Sequence, residues 1–135
     1  MPPLMATYLW IALGSAIGGV ARYGASSLIA NAVGQTFPWG TLIVNISGSF
    51  VIGFFAMLTG PDGRVVVSGD MRQFVMIGLC GGYTTFSSFS LQTLNLLRDG
   101  QVVGAGWNIA GSVALCLLGV WLGFAAAAAL NQVRG

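Results

Sequence analysis

The chain has 135 residues, of which 56% are hydrophobic and only 6% are charged, with a formal net charge of +2 and no histidine. Soluble domains carry about 25% charged residues, so this composition indicates an integral membrane protein. The small net charge argues against nucleic-acid binding, and without histidine the chain offers no plausible nucleophile and base pair for an enzyme.

Four apolar stretches, taken in chain order, are each long enough to cross a bilayer, which needs about 20 residues per helix. They cover residues 4–29, 41–59, 73–97 and 102–130, and the connections between them contain all three acidic residues. Those connections are too short to hold a soluble domain. The sequence therefore predicts an all-α integral membrane protein with one four-helix transmembrane domain, residues 1–135.

The second and fourth stretches share the pattern Asn-Ile-x-Gly-Ser, in residues 45–49 and 108–112. An amide and a hydroxyl four residues apart lie on one helical face, and the glycine between them permits close approach of another helix. Such amides either bond to neighbouring helices or offer donors to a permeating ion. We favour the ion for Asn45 and interhelical hydrogen bonding for Asn108, which lies nearer a helix end.

The third stretch contains Gly-Leu-Cys-Gly-Gly-Tyr-Thr-Thr-Phe-Ser-Ser-Phe-Ser at residues 78–90. Non-helical backbone at membrane depth requires protein or a water-filled cavity beside it. One interpretation is a broken helix beside a polar pathway, in which the glycines ease the break and the hydroxyls replace lost hydrogen bonds. The other is an unbroken helix whose small residues pack against a neighbour. These residues alone fit both interpretations.

The four stretches contain no Asp or Glu, the usual groups for proton coupling or for concentrating a cation. An anion is the better candidate for a pathway. Hydroxyl and amide donors can replace its hydration, and the ring edges of Phe86 and Phe89 carry the positive end of the aromatic quadrupole. Spaced at i and i+3, the two rings share a helical face, although such pairs are more often ordinary packing.

The arginines divide almost evenly between the two sides of a four-span topology. One side has Arg64, Arg72 and Arg134, and the other has Arg22 and Arg98. So small a bias permits insertion in either orientation and assembly as an antiparallel homodimer with a two-fold axis in the membrane plane. A single orientation set by this bias is the alternative.

Four segments in order resemble the Fluc/CrcB family of bacterial fluoride channels: Gly-Gly-Val-Ala-Arg-Tyr at 18–23, Gly-Thr-Leu-Ile-Val-Asn at 40–45, residues 78–90, and Gly-Ser at 111–112. The match extends nearly end to end. The resemblance implies a passive, fluoride-selective channel that exports fluoride from the cytoplasm. It also implies a dual-topology homodimer with two antiparallel pores, embedded among the lipids of the bacterial inner membrane.

By motif position, the resemblance also implies roles for single residues. The third helix would break at mid-membrane, and the backbone carbonyls of Gly81 and Thr84 from both subunits would hold a structural sodium ion at the dimer centre. Arg22 would draw anions into the aqueous vestibule. The fluoride pathway would comprise Asn45, Thr85, Phe86, Phe89 and Ser112.

The chain departs from the family at Gln92, where many members carry glutamate, and the resemblance gives Asn108 no role. Two other functions remain as alternatives. A small dual-topology multidrug exporter has the same size but needs a carboxylate inside the membrane, which these stretches lack. In a non-transporting membrane scaffold, the small residues would serve helix packing only.

Overall fold

Four helical segments, each long and apolar enough to span a membrane, make up the computed structural model, which describes residues 2–133. They are α1 (Pro3–Val33), α2 (Trp39–Leu58), a third segment (Gly69–Arg98) and α6 (Val102–Gln132). The last helix is numbered α6 because the third segment contains three helices of its own. At 1.5 Å per residue, a 31-residue helix such as α1 is about 46 Å long, more than a bilayer core of about 30 Å. The predicted all-α protein with four membrane-length helices is confirmed.

The observed helices extend beyond several of the predicted ends. α1 continues to Val33, past the predicted end at residue 29, because the residue that stops it is Gly34, with a φ of +89°. Backbone hydrogen bonding continues past Asn31 to Val33, whereas the hydropathy pattern stops before this polar residue. One arginine of the charge count, Arg134, lies outside the described residues.

The third segment is interrupted near its middle. It consists of α3 (Gly69–Gln73), a π-helical stretch (Phe74–Cys80), α4 (Gly81–Tyr83) and α5 (Phe86–Arg98). Between α4 and α5, Thr84 and Thr85 are extended, with ψ values of 159° and 117°. The Thr85 hydroxyl accepts a hydrogen bond from the backbone N–H of Ser88 at 3.1 Å and so caps α5. The break in the third helix is therefore confirmed, and the polar pathway beside it stays a prediction.

The glycines near the break pack against a neighbouring helix, as the second interpretation of this stretch predicted. Gly78 and Gly82 are helical and lie against α1, where a Cβ on Gly78 would come within 2.9 Å of the Cα of Gly14. Likewise, a Cβ on Gly18 would overlap the carbonyl oxygen of Leu79. The small size of Gly78 and Gly82 lets the two backbones approach closely, as in other membrane helix pairs, and that these glycines also ease the break stays a prediction.

Replacing Gly18 with alanine is expected to destabilise the protein, because the added methyl group overlaps backbone that cannot rotate away. Overpacking of this kind typically costs about 1–3 kcal/mol. Gly19→Ala is the matched control, since a Cβ there meets nothing within 4 Å. Thermal unfolding in detergent, followed by tryptophan fluorescence, should give a lower midpoint for Gly18→Ala than for Gly19→Ala. Equal midpoints would contradict this packing.

α2 packs along α6 as the most extensive helix pair, and both helices contribute glycines to it. A Cβ on Gly53 would overlap the Val120 carbonyl, and one on Gly123 would overlap the Phe50 carbonyl. α5 differs, because it packs mainly against α6 and makes little contact with the other helices. The half of the third segment that follows the break is therefore held largely by α6.

Two arginines hold the loop between α2 and α3 at one end of the bundle. Arg72 donates through Nη1 to the carbonyl of Thr59, at the end of α2, at 3.0 Å. Arg64 donates through Nη1 to the carbonyl of Leu130, near the end of α6, at 3.1 Å. Both guanidinium groups therefore satisfy terminal carbonyls and complement the negative end of a helix dipole.

Candidate functional site

The side chain of Asn45 bridges from α2 to the break in the third segment. Its Nδ2 donates to the carbonyl of Thr85 at 3.0 Å, and its Oδ1 accepts from the Thr85 backbone N–H at 2.7 Å. Backbone groups that leave a helix inside a membrane need such partners. One N–H of the amide is thus committed to the protein, and its second N–H is the donor left for a ligand.

A groove with a volume of about 420 Å³ brings together five residues of the predicted fluoride pathway. Helices α2, α4, α5 and α6 and the break between α4 and α5 all contribute to its wall. The lining is mostly apolar and contains no charged side chain. The predicted pathway residues that line it are Asn45, Thr85, Phe86, Phe89 and Ser112.

Phe86 and Phe89 form one side of this groove. Their ring centroids are 5.3 Å apart and the ring planes are inclined by 53°, which confirms that the two side chains share a helical face. Phe89 is half-buried, whereas Phe86 is 78% exposed. The edge of the Phe86 ring is therefore open to an ion or to a second protein surface.

A chain of hydrogen bonds connects α6 to α5 behind the groove. Ser112, which is buried, donates to Oδ1 of Asn108 at 3.4 Å. Asn108 donates through Nδ2 to the Thr93 hydroxyl at 2.9 Å, and that hydroxyl donates to the Phe89 carbonyl at 2.7 Å. The prediction that Asn108 makes an interhelical hydrogen bond is confirmed.

A second cavity, of about 920 Å³, is lined largely by polar residues of α1, α5 and the loop between α1 and α2. We call it the vestibule. Arg22 lines it and donates through Nε to the carbonyl of Gly82 at 3.1 Å, which positions the positive charge beside the break. Thr85 lines both the vestibule and the groove, so the two cavities meet at this residue. That Arg22 attracts anions stays a prediction.

Gly81 and Thr84 also line the groove, Thr84 at the break and Gly81 in α4 just before it. The backbone N–H and the hydroxyl of Thr84 both donate to the Cys80 carbonyl, at 3.0 Å and 2.9 Å. Among the described residues, no backbone hydrogen bond outside the helices ends on the carbonyls of Gly81 or Thr84. Oxygen ligands of this kind suit a hard cation such as sodium.

The described part of the chain holds no cluster of side chains that commonly bind metal ions. Within residues 2–133, no group of three or more His, Cys, Asp or Glu side chains could hold a metal ion. A cation bound at the break would therefore depend on backbone carbonyls.

Sequence reasoning did not identify several residues that support the break. The Ser47 and Tyr83 hydroxyls lie 3.0 Å apart and connect α2 to α4. Thr93 connects α5 to Asn108. Gln92 lines the vestibule, and its Oε1 is buried without a hydrogen-bond donor among the described residues. In the sequence, Gln92 stands out only as a departure from the family's glutamate, three residues after Phe89, and that departure does not predict this environment.

These features define a multi-pass membrane protein in which a broken helix separates a polar vestibule from an apolar groove. The family model described as CrcB-like protein, Camphor Resistance (CrcB), matches residues 9–124. The chain belongs to this family, which confirms the resemblance found in its sequence segments.

Curated relatives match this chain over nearly its whole length. A protein from Methylocella silvestris is 61% identical over 128 residues, covering 95% of this chain and 98% of its own. One from Rhodospirillum rubrum is 62% identical over 126 residues, covering 93% and 98%. One from Opitutus terrae is 60% identical over 131 residues, covering 97% and 99%. Each of the three is named as the fluoride-specific ion channel FluC.

Proposed function

We propose that this chain forms a passive, fluoride-selective ion channel. The observation that carries the proposal is the convergence of Asn45, Thr85, Phe86, Phe89 and Ser112 on one groove, in a chain about 60% identical to proteins named as fluoride-specific channels. Fluoride would pass from the cytoplasm through the vestibule and the groove, across the bacterial inner membrane.

The chemistry of the groove suits fluoride. Fluoride is small, strongly hydrated and the strongest hydrogen-bond acceptor among the halides, so closely spaced donors can repay its dehydration where larger halides do not fit. The free N–H of Asn45, the Thr85 hydroxyl and the positive ring edges of the two phenylalanines are donors of this kind. Because no charged group lines the groove, no single site holds the ion too tightly for conduction.

The complete channel, in this proposal, is an antiparallel dual-topology homodimer with two pores. Its support is the 78% exposure of Phe86, the mostly apolar groove that is open in a single chain, and the nearly even division of arginines. A second copy related by a two-fold axis in the membrane plane would cover the groove and complete the pore wall. A single chain should therefore not conduct.

A structural sodium ion at the dimer centre is part of the same proposal. The support for it is that both Gly81 and Thr84 line the groove, Thr84 at the break and Gly81 three residues before it, and that among the described residues no backbone hydrogen bond outside the helices ends on their carbonyls. Two carbonyls from each copy would supply four oxygen ligands around one hard cation. The ion would supply positive charge that stabilises the unwound backbone of both copies.

The proposal is tested by fluoride release from liposomes that contain the purified protein. Liposomes loaded with potassium fluoride are diluted into an impermeant salt, and valinomycin is added to carry potassium out while a fluoride electrode follows release. We expect rapid release that requires valinomycin, with little release in a parallel run with potassium chloride. No fluoride release from correctly folded dimers would contradict the proposal and favour a scaffold role.

Arg22→Gln is expected to slow fluoride release several-fold at low ionic strength, because Asp99 would then be the one charged side chain among the described residues that line the vestibule, and its carboxylate repels anions. The difference should shrink as salt is added, since the Debye length falls from about 30 Å at 10 mM to about 8 Å at 150 mM. Arg98→Gln is the matched control, because Arg98 is exposed and does not line the vestibule. A deficit in Arg22→Gln that salt leaves unchanged would contradict the electrostatic role.

A further inference from the structure

We propose that Asn108 is a positioning residue that sets the place of Phe89 in the groove, acting through Thr93. The inference rests on the proposed channel function. It concerns a side chain that does not itself line the groove or the vestibule.

The burial of Asn108 shows that its amide serves the protein rather than solvent. Asn108 is 2% exposed and, with Val44, is one of the two largest fully buried side chains among the described residues. A buried amide is costly unless it is hydrogen-bonded. Both ends of this amide have partners, Thr93 at Nδ2 and Ser112 at Oδ1.

The hydrogen bonds around Asn108 have a fixed direction. The Thr93 hydroxyl uses its only proton to donate to the Phe89 carbonyl, so toward Asn108 it can only accept. This requirement places Nδ2 of Asn108 toward Thr93 and leaves Oδ1 to accept from Ser112. The chain of donors therefore runs from Ser112 on α6 through Asn108 and Thr93 to the backbone of Phe89.

This chain matters because α5 has few other attachments. The helix begins after the break, so α4 does not continue into it, and it packs mainly against α6. Thr93 is one helical turn beyond Phe89, and its bond to Asn108 joins that turn to α6 in the interior of the pair. Ser112 and Phe89 both line the groove, so one buried amide connects two of its walls.

The test measures fluoride release from liposomes as a function of internal fluoride concentration. A merely structural defect lowers the number of active dimers and hence the maximal rate, whereas a displaced Phe89 changes the half-saturating concentration. Thr93→Val is the main variant, because valine has nearly the shape of threonine but no hydroxyl. We expect its half-saturating concentration to rise about tenfold, the size expected for one lost buried hydrogen bond.

Four further variants complete the design. Thr93→Ser keeps the hydroxyl and should behave like the wild type. Asn108→Leu should resemble Thr93→Val, and the double variant should show no further change, because both substitutions interrupt one chain of hydrogen bonds. Asn131→Leu is the control, since it removes an interhelical amide bond to the Met57 carbonyl that involves neither cavity, and should leave the half-saturating concentration unchanged.

Each outcome bears on the inference. A wild-type half-saturating concentration in Thr93→Val would overturn it while leaving the proposed channel intact. Failure of Thr93→Val to fold, with Thr93→Ser folded, would overturn it as well, because the hydroxyl would then hold the fold rather than the ring. No fluoride release from the wild type would overturn the proposed function and this inference with it.

Discussion

Phe89→Ile is expected to lower fluoride release from liposomes about tenfold or more, while the purified protein elutes from a size-exclusion column at the same volume as the wild type. Isoleucine retains the bulk and apolar character of the position but has no positive ring edge to face an anion. Aromatic interactions are worth about 0.5–1.5 kcal/mol, and a barrier higher by about 1.4 kcal/mol slows a step tenfold. Phe86→Ile should act in the same direction.

The control for these variants is a phenylalanine that lies outside both cavities. Phe124 on α6 is exposed and lines neither the groove nor the vestibule, so Phe124→Ile should release fluoride at the wild-type rate. Size-exclusion chromatography on the same samples separates a pathway effect from a packing effect. Undiminished release from both Phe86→Ile and Phe89→Ile would remove the ring edges from the mechanism, and a changed oligomeric state in both variants would assign the rings to packing.

Asn45→Leu is expected to remove most fluoride release and to loosen the break. Leucine has no partner for the N–H or the carbonyl of Thr85, which Asn45 bonds at 2.7 Å and 3.0 Å. Leaving such groups unpaired costs about 1–3 kcal/mol. Hydrogen exchange of a peptide that spans residues 81–89 should therefore speed up by about fivefold to 100-fold, since about 1.4 kcal/mol is a factor of ten.

Asn131→Leu again provides the control, because it removes an amide that bonds the Met57 carbonyl outside both cavities. That variant should leave exchange at residues 81–89 and fluoride release unchanged. Wild-type exchange in Asn45→Leu would show that the break does not depend on this amide. Asn45→Asp is less informative, since it would repel anions and at the same time place a carboxylate oxygen against the Thr85 carbonyl.

The membrane helices were predictable from the sequence because hydropathy depends on local composition. The ends of the helices were harder to predict. α1, for example, continues to Val33 and stops only where Gly34 adopts a positive φ. The break and the close packing of the glycines were predictable only as alternatives. A glycine that permits close packing looks the same in a sequence as one that permits a bend, and only the position of α1 shows the packing.

The residues of the candidate site could be predicted from the sequence, but the hydrogen bonds between them could not. The face shared by Phe86 and Phe89 follows from their spacing on one helix. The partner of Asn45 is 40 residues away in the chain, and the partner of Asn108 is 15 away, so no local pattern indicates either bond. The family resemblance supplied the list of pathway residues, and the structure added that Asn45 also secures the break.

The measurement that tests the central claim most directly is the reversal potential of single channels in a planar bilayer, with potassium fluoride on one side and potassium chloride on the other. A fluoride-selective channel should carry current that reverses at a large potential, with the sign set by fluoride movement down its gradient. A reversal potential near zero would show that fluoride and chloride pass equally well. Reversal with the opposite sign would show preference for chloride, and either result would contradict the account.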